Sequence, residues 1–306
     1  MAAPHTGGVT EFESATSPLR QELTAHCYRM LGSWDEAEDA VQETYLRAWR
    51  AWERFEHRSS VRTWLHRIAT NVTLSALEGR GRRALPSGLG APSADDLPEF
   101  LPAEAWIQPY AEDRDDLRLA LIAGLQTLPP VQRAVLLLRE VLAFPAAEVG
   151  HLLDLTPAAV KSTLQRARAR LLRCAPRPDD VAEPGSPAAR HQLEAYVTAF
   201  RSADVTGLTA VLRRDARLEL IPGSRWFDGV EACVPVLAAA VGAPGDWRME
   251  PTVANGQPAV RAHHLGEPMG IAVLDCRADG VAGITVFGDA ALVPRFAPRT
   301  GLSASR

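Results

Sequence analysis

Residues 128–173 read LPPVQRAVLLLREVLAFPAAEVGHLLDLTPAAVKSTLQRARARLLR, three segments of helical periodicity separated by prolines. The first begins after Pro129, where a missing amide donor costs nothing, and its predicted core positions are Val131, Val135, Leu138 and Leu142. A short second helix begins at Pro145, and Thr156 with Pro157 supplies an N-cap and a first-turn proline for the third. The short helix, the tight turn and a third helix with basic but no acidic residues predict a DNA-binding helix-turn-helix.

The third helix has two distinct faces. Its inward stripe is predicted at Val160, Leu164, Ala167 and Leu171, so its outward face is Ala158, Lys161, Ser162, Gln165, Arg166 and Arg168. Small residues at the start of the helix allow a close approach to the major groove, where lysine, glutamine and arginine reach base edges or phosphates. The alternative is an ordinary solvated basic helix, but the short helix and tight turn before it favour DNA recognition.

Two further strings lie N-terminal to the helix-turn-helix. Residues 34–49, WDEAEDAVQETYLRAW, predict an acidic amphipathic helix, and residues 61–71 read VRTWLHRIATN. In this order and spacing, the three segments resemble the sigma-70 family in its extracytoplasmic-function class. The resemblance covers residues 17–83 as the domain that binds polymerase and opens the promoter, and residues 115–173 as the domain that reads the upstream promoter element.

The resemblance implies a role for the acidic helix. Asp39, Gln42 and Glu43 occupy the positions that dock on the clamp helices of the largest subunit of core RNA polymerase. The other face is expected to pack inward through Ala40, Tyr45, Leu46 and Trp49. The alternative is that these acidic residues only form a solvated surface.

The following loop and helix suit strand separation, which traps an unstacked base and holds the displaced strand on positive charge. Candidate DNA-binding groups are Arg58, Ser59, Ser60, Arg62, Arg67 and Asn71. Trp64 and Ile68 are predicted to be core residues. Arg80, Arg82 and Arg83 are predicted to contact phosphate, which adds affinity without reading sequence.

Composition is consistent with a cytoplasmic regulator. The 306 residues are 46% hydrophobic and 23% charged, and the net charge of −4 would be unusual for a protein that binds DNA alone by electrostatics. The sequence shows neither an apolar signal core nor a membrane-spanning run, so no membrane association is expected. The four cysteines have no metal-ligand spacing and no phosphate-binding glycine motif occurs, so we expect reduced thiols, no metal and no cofactor.

Stretches rich in proline, glycine and acidic residues mark domain boundaries. They predict domains at residues 12–83 and 115–174, a linker at 84–114, a second linker at 175–188 and a third domain at 189–298. Trp106, Ile107 and Tyr110 in the first linker indicate that part of it packs on a surface. The chain is therefore expected to be multidomain, with two all-α domains followed by an α+β domain.

The third domain combines helical periodicity with alternating segments. Two helices within residues 191–212 precede strands near 217–221, 259–264, 270–276 and 281–287, with a further helix near 234–240. This order resembles the cone-shaped SnoaL-like (nuclear-transport-factor-2-like) fold with an antiparallel sheet. Candidate groups for a pocket are Trp226, Asp228, Trp247, Arg261, His263 and Asp275. The domain would bind a small ligand, make an intramolecular contact or, as in cyclases and isomerases, use a desolvated carboxylate.

Three hypotheses follow from the sequence. The first is a non-enzymatic sigma factor that binds core RNA polymerase and promoter DNA, with no catalytic residues and a C-terminal domain that modulates it. The second is a stand-alone helix-turn-helix regulator, which leaves residues 34–49 and 61–71 without a role. The third is a cyclase or isomerase fused to DNA-binding modules, which requires turnover of a small molecule.

Overall fold

A computed structural model describes residues 6–93, 100–111, 117–174, 183 and 185–297. Residue contacts divide the chain into a helical unit of residues 1–83 and 122–175 and a C-terminal unit of residues 84–121 and 176–306. Residues 84–121, most of which the sequence predicts to be a linker that packs in part on a surface, therefore group with the C-terminal unit. The linker residues 94–99 and 175–182 lie outside the described residues.

The described residues of the N-terminal part of the helical unit form four α-helices. They are α1 (Thr6–Thr16), α2 (Arg20–Leu31), α3 (Trp34–Ala51) and α4 (Val61–Ala76). Gly32, at φ 69°, ends α2, and the side chain of Ser33 caps α3 by accepting a hydrogen bond from Glu36 N at 3.3 Å. Ser60 caps α4 in the same way, accepting from Thr63 N at 3.0 Å. Local capping chemistry thus sets where the predicted helices begin.

The second part of this unit contains the helix-turn-helix. Its elements are α5 (Leu119–Gln126), α6 (Pro130–Leu136), a π-helical turn (Leu137–Val141), α7 (Ala146–Leu153) and α8 (Pro157–Cys174). The turn after α7 folds back against Gly150 of that helix and requires a glycine there, because a Cβ on Gly150 would lie 2.6 Å from Leu155 O. Asp154 ends α7 in the left-handed region at φ 54°, and Thr156 Oγ1 accepts from Ala159 N at 3.2 Å.

The first helix of this segment differs from the sequence expectation in two respects. The predicted continuous α-helix changes to π-helical geometry at Leu137, and Leu142 N donates to Leu137 O at 3.0 Å. Val131, predicted to be buried, is 45% exposed because it lies in the first turn, whereas Val135 and Leu138 are fully buried.

The described residues 185–297 of the C-terminal unit form three α-helices and one six-stranded sheet, besides a 3-10 helix. The elements are α9 (Pro187–Ser202), α10 (Val205–Val211), β1 (Leu212–Ile221), β2 (Arg225–Asp228), α11 (Val230–Val241), β3 (Trp247–Ala254), β4 (Gln257–His264), β5 (Glu267–Arg277) and β6 (Gly280–Phe287). The strand order is β2-β1-β6-β5-β4-β3. The α+β fold is confirmed, but the expectation of a purely antiparallel sheet is wrong, because β1 and β6 pair in parallel.

The two faces of the sheet have different coverings. Helices α9, α10 and α11 pack on one face, and their core includes Tyr196, Phe200, Leu218, Val260 and Leu274. At the opposite face and the sheet edge, residues 84–93, 100–111 and 117–121, here called the connector, bond to the sheet. The 3-10 helix Ala290–Phe296 also packs on β5.

Candidate nucleic-acid interface and acidic docking helix

The basic face of α8 is the best-formed candidate site for DNA. Its six predicted positions, Ala158, Lys161, Ser162, Gln165, Arg166 and Arg168, are all exposed. Val160 and Ala167 on the opposite face are fully buried against the rest of the helix-turn-helix. Arg166 donates to Thr163 Oγ1 at 3.1 Å and Arg168 pairs with Glu140 at 2.7 Å, which orients both guanidinium groups along the surface. The helix therefore exposes cations and one amide on one face, while its opposite face stays packed in the core.

The loop before α4 presents a second polar surface. Arg58, Ser59, Ser60, Arg67 and Asn71 are exposed. Two of these side chains already have partners, because Arg58 pairs with Glu56 at 2.5 Å and Ser60 caps α4. Arg67 and Asn71 lie one turn apart on α4, so both face the same side of the helix.

The basic run after α4 is partly engaged by an acid of α3. Arg80 bonds to Glu36, and Arg83 contacts the same carboxylate at 2.9 Å. The Arg83 side chain is only 8% exposed, which differs from the predicted exposed phosphate contact. Arg82 is exposed. Glu36 thus pairs with two of the three arginines, which the sequence spacing alone does not reveal.

An aromatic stack that the sequence analysis did not single out supports the loop. The rings of Phe55 and Trp64 stack at 4.5 Å between centroids, and those of Trp52 and Phe55 at 6.0 Å. Trp64 and Ile68 are half-buried rather than fully buried core residues. Because the stack joins the end of α3 to the start of α4, it fixes the position at which residues 56–60 leave the helices.

The acidic helix α3 presents both charge and apolar surface. Asp39 and Gln42 are exposed, and Glu43 forms an ion pair with Arg47 at 2.6 Å. The expectation that Leu46 and Trp49 pack inward is wrong, since they are 51% and 41% exposed. Leu46 and Trp49 follow Gln42 by four and seven positions, so helical geometry places them on the same face of α3 as Gln42.

The six candidate pocket residues of the C-terminal unit do not line one cavity. Trp226, Asp228, Arg261, His263 and Asp275 alternate with helix-facing core residues and so lie on the opposite sheet face. The three that carry a carboxylate or guanidinium are paired: Asp228 with Arg217 at 3.2 Å, Arg261 with Glu250 at 2.6 Å and Asp275 with Arg277 at 2.7 Å.

Trp247 belongs to the helix-facing side instead. Its ring packs against that of Phe200 with 5.9 Å between the ring centroids, and its indole N–H donates to Ala240 O at 3.0 Å. It lines a shallow groove of about 670 Å³ together with Arg201, Arg248 and neighbouring residues of α9 and β3. The six predicted residues therefore lie at two places. Five lie on the sheet face away from the helices, where the three charged ones form ion pairs, and Trp247 lies beside the groove.

Two buried amides of the C-terminal unit hold the connector. The side chain of Asn255, fully buried in the β3–β4 turn, accepts from Tyr110 N at 2.8 Å and donates to Leu117 O at 2.6 Å. Gln257 Oε1 accepts from Leu119 N at 2.9 Å. In the sequence, the pair Asn255-Gly256 indicates a hairpin turn. The neighbouring residues do not indicate that the side-chain amide of Asn255 binds the connector, which is distant along the chain.

At β1 and β2 the connector makes further hydrogen bonds. Ser87 Oγ donates to Glu219 at 2.7 Å, and the indole N–H of Trp226 donates to Gly90 O at 3.1 Å. Burial raises the pKa of Glu219 above its ordinary value, and the bond from Ser87 partly opposes that shift. Hydrogen bonds thus hold the connector to the sheet domain near both its first and its last described residues.

Among the described residues, none of the helices combines the length and apolar character that a bilayer crossing needs.

Comparisons with known proteins match the same two helical regions that the structure shows. The family models described as sigma-70 region 2 and sigma-70 region 4 match residues 17–83 and 118–171. The extracytoplasmic-function sigma factor SigG of Mycobacterium tuberculosis is 44% identical over 308 residues, covering 94% of this chain and 83% of SigG. The factor SigE of Mycolicibacterium smegmatis is 34% identical over 47% of this chain and 53% of its own length.

Among solved structures, the extracytoplasmic-function factor SigJ of M. tuberculosis superposes with a TM-score of 0.60 at 22% identity. The superposition covers 92% of this chain and 96% of SigJ. At this identity the likeness concerns the fold, which extends through the C-terminal unit as well as the two matched regions.

Proposed function

This chain belongs to the extracytoplasmic-function class of the sigma-70 family and binds RNA polymerase for transcription initiation, and we propose which of its surfaces perform each step. We refer below to residues 17–83 as region 2 and residues 118–171 as region 4. The observation that carries the proposal is that one helical unit presents an exposed acidic helix face on α3 and an exposed basic helix face on α8.

The polymerase-docking surface is α3. Asp39, Gln42 and Glu43 contact the clamp helices of the largest subunit, in keeping with the family pattern. Leu46 and Trp49 lie beside them, so the surface combines charge with apolar area that a partner can bury. Acidic side chains at its edge would speed encounter with a basic partner and fix its register.

The two promoter-contacting surfaces have separate roles. Helix α8 reads the upstream promoter element through Lys161, Gln165 and Arg166, which can form hydrogen bonds to base edges in the major groove. Residues 56–60 with Arg67 and Asn71 contact the downstream element and the displaced strand. A net charge of −4 suits this division, since polymerase rather than the free chain would supply most of the DNA affinity.

The C-terminal unit modulates transcription by controlling the connector. Support comes from Asn255 and Gln257, buried amides whose side chains bond to the connector backbone. A buried amide without a partner is costly, so this arrangement favours one fixed path for the segment that joins regions 2 and 4. Release of that segment, or tighter binding of it, would change the maximum distance between regions 2 and 4.

The docking assignment is tested by competition for core RNA polymerase. A full-length chain carrying Asp39→Ala and Glu43→Ala should compete at least about tenfold less well than the unaltered chain, equivalent to roughly 1.4 kcal/mol. Glu194→Ala, which removes an exposed acid from α9, is the matched control and should compete normally. Equal competition by all three chains would remove α3 as the docking surface.

A further inference from the structure

Core side chains fill the space between the helices and the sheet of the C-terminal unit. Tyr196 and Phe200 of α9 pack there with Leu218 and Leu274 of the sheet, and all four are at most 4% exposed. A ligand cannot enter this space without displacing close-packed side chains. A ligand of this unit therefore has to bind at its surface.

The groove beside Trp247, which we call the arginine groove, lies at the surface between the end of α9 and the start of β3. Its volume of about 670 Å³ is that of a small-molecule site. On the α9 side it is lined by Thr198, Arg201 and Ser202, and on the β3 side by Trp247, Arg248 and Met249. The groove thus combines one aromatic ring with two guanidinium groups.

The indole ring of Trp247 is held in place from three directions. It meets the ring of Phe200 edge-on, with 5.9 Å between centroids, and that of His264 at 4.6 Å. Its N–H donates to Ala240 O at the end of α11. Because the side chain is only half-buried, it offers a planar ligand a fixed aromatic surface.

The walls of the groove are also joined to each other. Gly245 N donates to Arg201 O at 2.9 Å, which ties the loop before β3 to the last turn of α9. Asp246 fixes the same loop, because its side chain accepts from Ala243 N at 2.8 Å and its carbonyl oxygen accepts from Leu265 N at 2.7 Å. The groove is therefore preformed, which reduces the entropy lost on binding.

The arginine groove carries an excess of positive charge. Among the residues that the structure describes, no acidic side chain pairs with the exposed Arg201. Arg248 contacts Glu250 at 3.3 Å, but the same carboxylate also binds Arg261 at 2.6 Å. One acid is thus shared by two guanidinium groups, and Arg248 remains 63% exposed. Cations left without full compensation attract an anion.

We propose that the arginine groove binds a small planar anion, an aromatic or heteroaromatic ring system that carries a carboxylate or a phosphate. The ring stacks on Trp247, and the anion accepts charge-assisted hydrogen bonds from Arg201 and Arg248. Thr198 adds a hydroxyl one helical turn before Arg201, on the same side of α9. The site lies wholly in the C-terminal unit, so its test needs neither polymerase nor DNA.

The first test follows Trp247 directly in the full-length chain. The seven tryptophans are replaced by fluorotryptophan, and the fluorine NMR signal that is absent from Trp247→Phe identifies the residue. The probes are naphthyl phosphate, naphthoate and the neutral naphthol, with inorganic phosphate alone as a fourth. Both naphthyl anions should shift the Trp247 signal saturably and bind about tenfold more tightly than naphthol, because only they pair with the arginines.

The second test removes one cation. Arg201→Gln keeps most of the side-chain length and should weaken binding of both naphthyl anions by about fivefold or more, while leaving naphthol unaffected. The matched control is Arg190→Gln, an exposed arginine about three turns earlier on α9, which should bind all probes normally. Added salt should weaken binding of the anions and not of naphthol.

The unaltered chain alone decides the proposal. Either order of affinity between naphthyl phosphate and naphthoate supports the site, and that order identifies the anion it prefers. Absence of a saturable shift of the Trp247 signal overturns the proposal, as does equal binding of naphthol and the two anions. Binding of inorganic phosphate as tight as that of naphthyl phosphate contradicts the role given to Trp247. None of these results bears on the binding of core polymerase.

Discussion

The side chain of Asn255 accepts a 2.8 Å hydrogen bond from the backbone N–H of Tyr110, 145 residues earlier in the chain. The backbone of Asn255 returns the interaction by donating to Tyr110 O, also at 2.8 Å. Since Asn255 is fully buried, this pairing ties the connector to the C-terminal unit through groups that water cannot satisfy. In the function we propose, the C-terminal unit acts on the connector through this pairing.

Replacing Asn255 should loosen the connector. Asn255→Ala leaves Tyr110 N and Leu117 O without their side-chain partner and places alanine at φ 54°, so we expect a loss of about 2–4 kcal/mol of unfolding free energy. Hydrogen exchange at the amide of Tyr110 should accelerate, and transcript yield with core polymerase should change. The exposed Asn71→Ala serves as the control for folding stability and should leave it nearly unchanged. Normal exchange at Tyr110 in the Asn255 variant would contradict the role given to this amide.

Arg133 should dominate the stability of the helical unit. Arg133 donates to the carbonyl oxygens of Met30, Gln126 and Leu128. Arg133→Met keeps most of the side-chain volume but removes these donors, so we expect a loss of about 3 kcal/mol of unfolding free energy in urea denaturation. Burial lowers the pKa of Arg133 to about 10, and the guanidinium therefore remains charged at neutral pH. Arg67→Met, at an exposed position of α4, should change stability by less than about 0.5 kcal/mol. Equal effects of the two variants would contradict a stabilising role for the hydrogen bonds of Arg133.

Acid should weaken the packing between α2 and α4. The hydrogen bond from His66, assisted by Arg62, lowers the pKa of Glu22 from 4.5 to about 2. The folded state thus favours the ionised carboxylate, whose contribution is complete above pH 4.5 and is lost as the pH falls towards 2. Burial also lowers the pKa of His66 below 6.5, so protonation of this imidazole favours unfolding and adds to the loss below that pH.

Glu22→Gln isolates the first of these effects. The variant should be less stable than the unaltered chain at pH 7, and the difference should shrink between pH 4.5 and pH 2 in denaturation curves. Glu78→Gln changes an exposed carboxyl just beyond α4 and should follow the unaltered chain throughout. A constant gap between Glu22→Gln and the unaltered chain across this range would contradict the linkage.

Arg166 should contribute sequence discrimination at the upstream element. If it reads a base edge, Arg166→Ala in the polymerase complex costs about 1–3 kcal/mol and relaxes preference at one base position. Arg170→Ala, an exposed position further along α8, should weaken binding evenly across sequences and reduce its dependence on salt. Binding of the polymerase complex to a library of upstream elements distinguishes the two patterns.

Local features of the sequence predicted the helical regions well. Pro157, Thr156 and the apolar repeat of α8 act over one or two helical turns, so each element could be inferred from its own residues. The same periodicity could not show that Leu46 and Trp49 stay exposed, because a helix with apolar residues on two faces does not indicate which face is covered.

Non-local contacts account for the features that the sequence did not predict. The parallel pairing of β1 with β6 and the bond between Asn255 and Tyr110 join segments far apart in the chain, and neither leaves a periodic pattern. Strand β3 was also not predicted, since Pro251 within it is unusual for a strand interior. The candidate pocket residues were chosen by chemical type, whereas ion pairing and sheet alternation decide where they lie.

The most direct test of the account is transcription in vitro with bacterial core RNA polymerase and the full-length chain. We expect the chain to bind core, to start transcripts at discrete promoters, and to lose this activity when α3 carries Asp39→Ala and Glu43→Ala. Tight, sequence-specific binding of the free chain to DNA, combined with no association with core polymerase, would contradict the account and favour a stand-alone helix-turn-helix regulator.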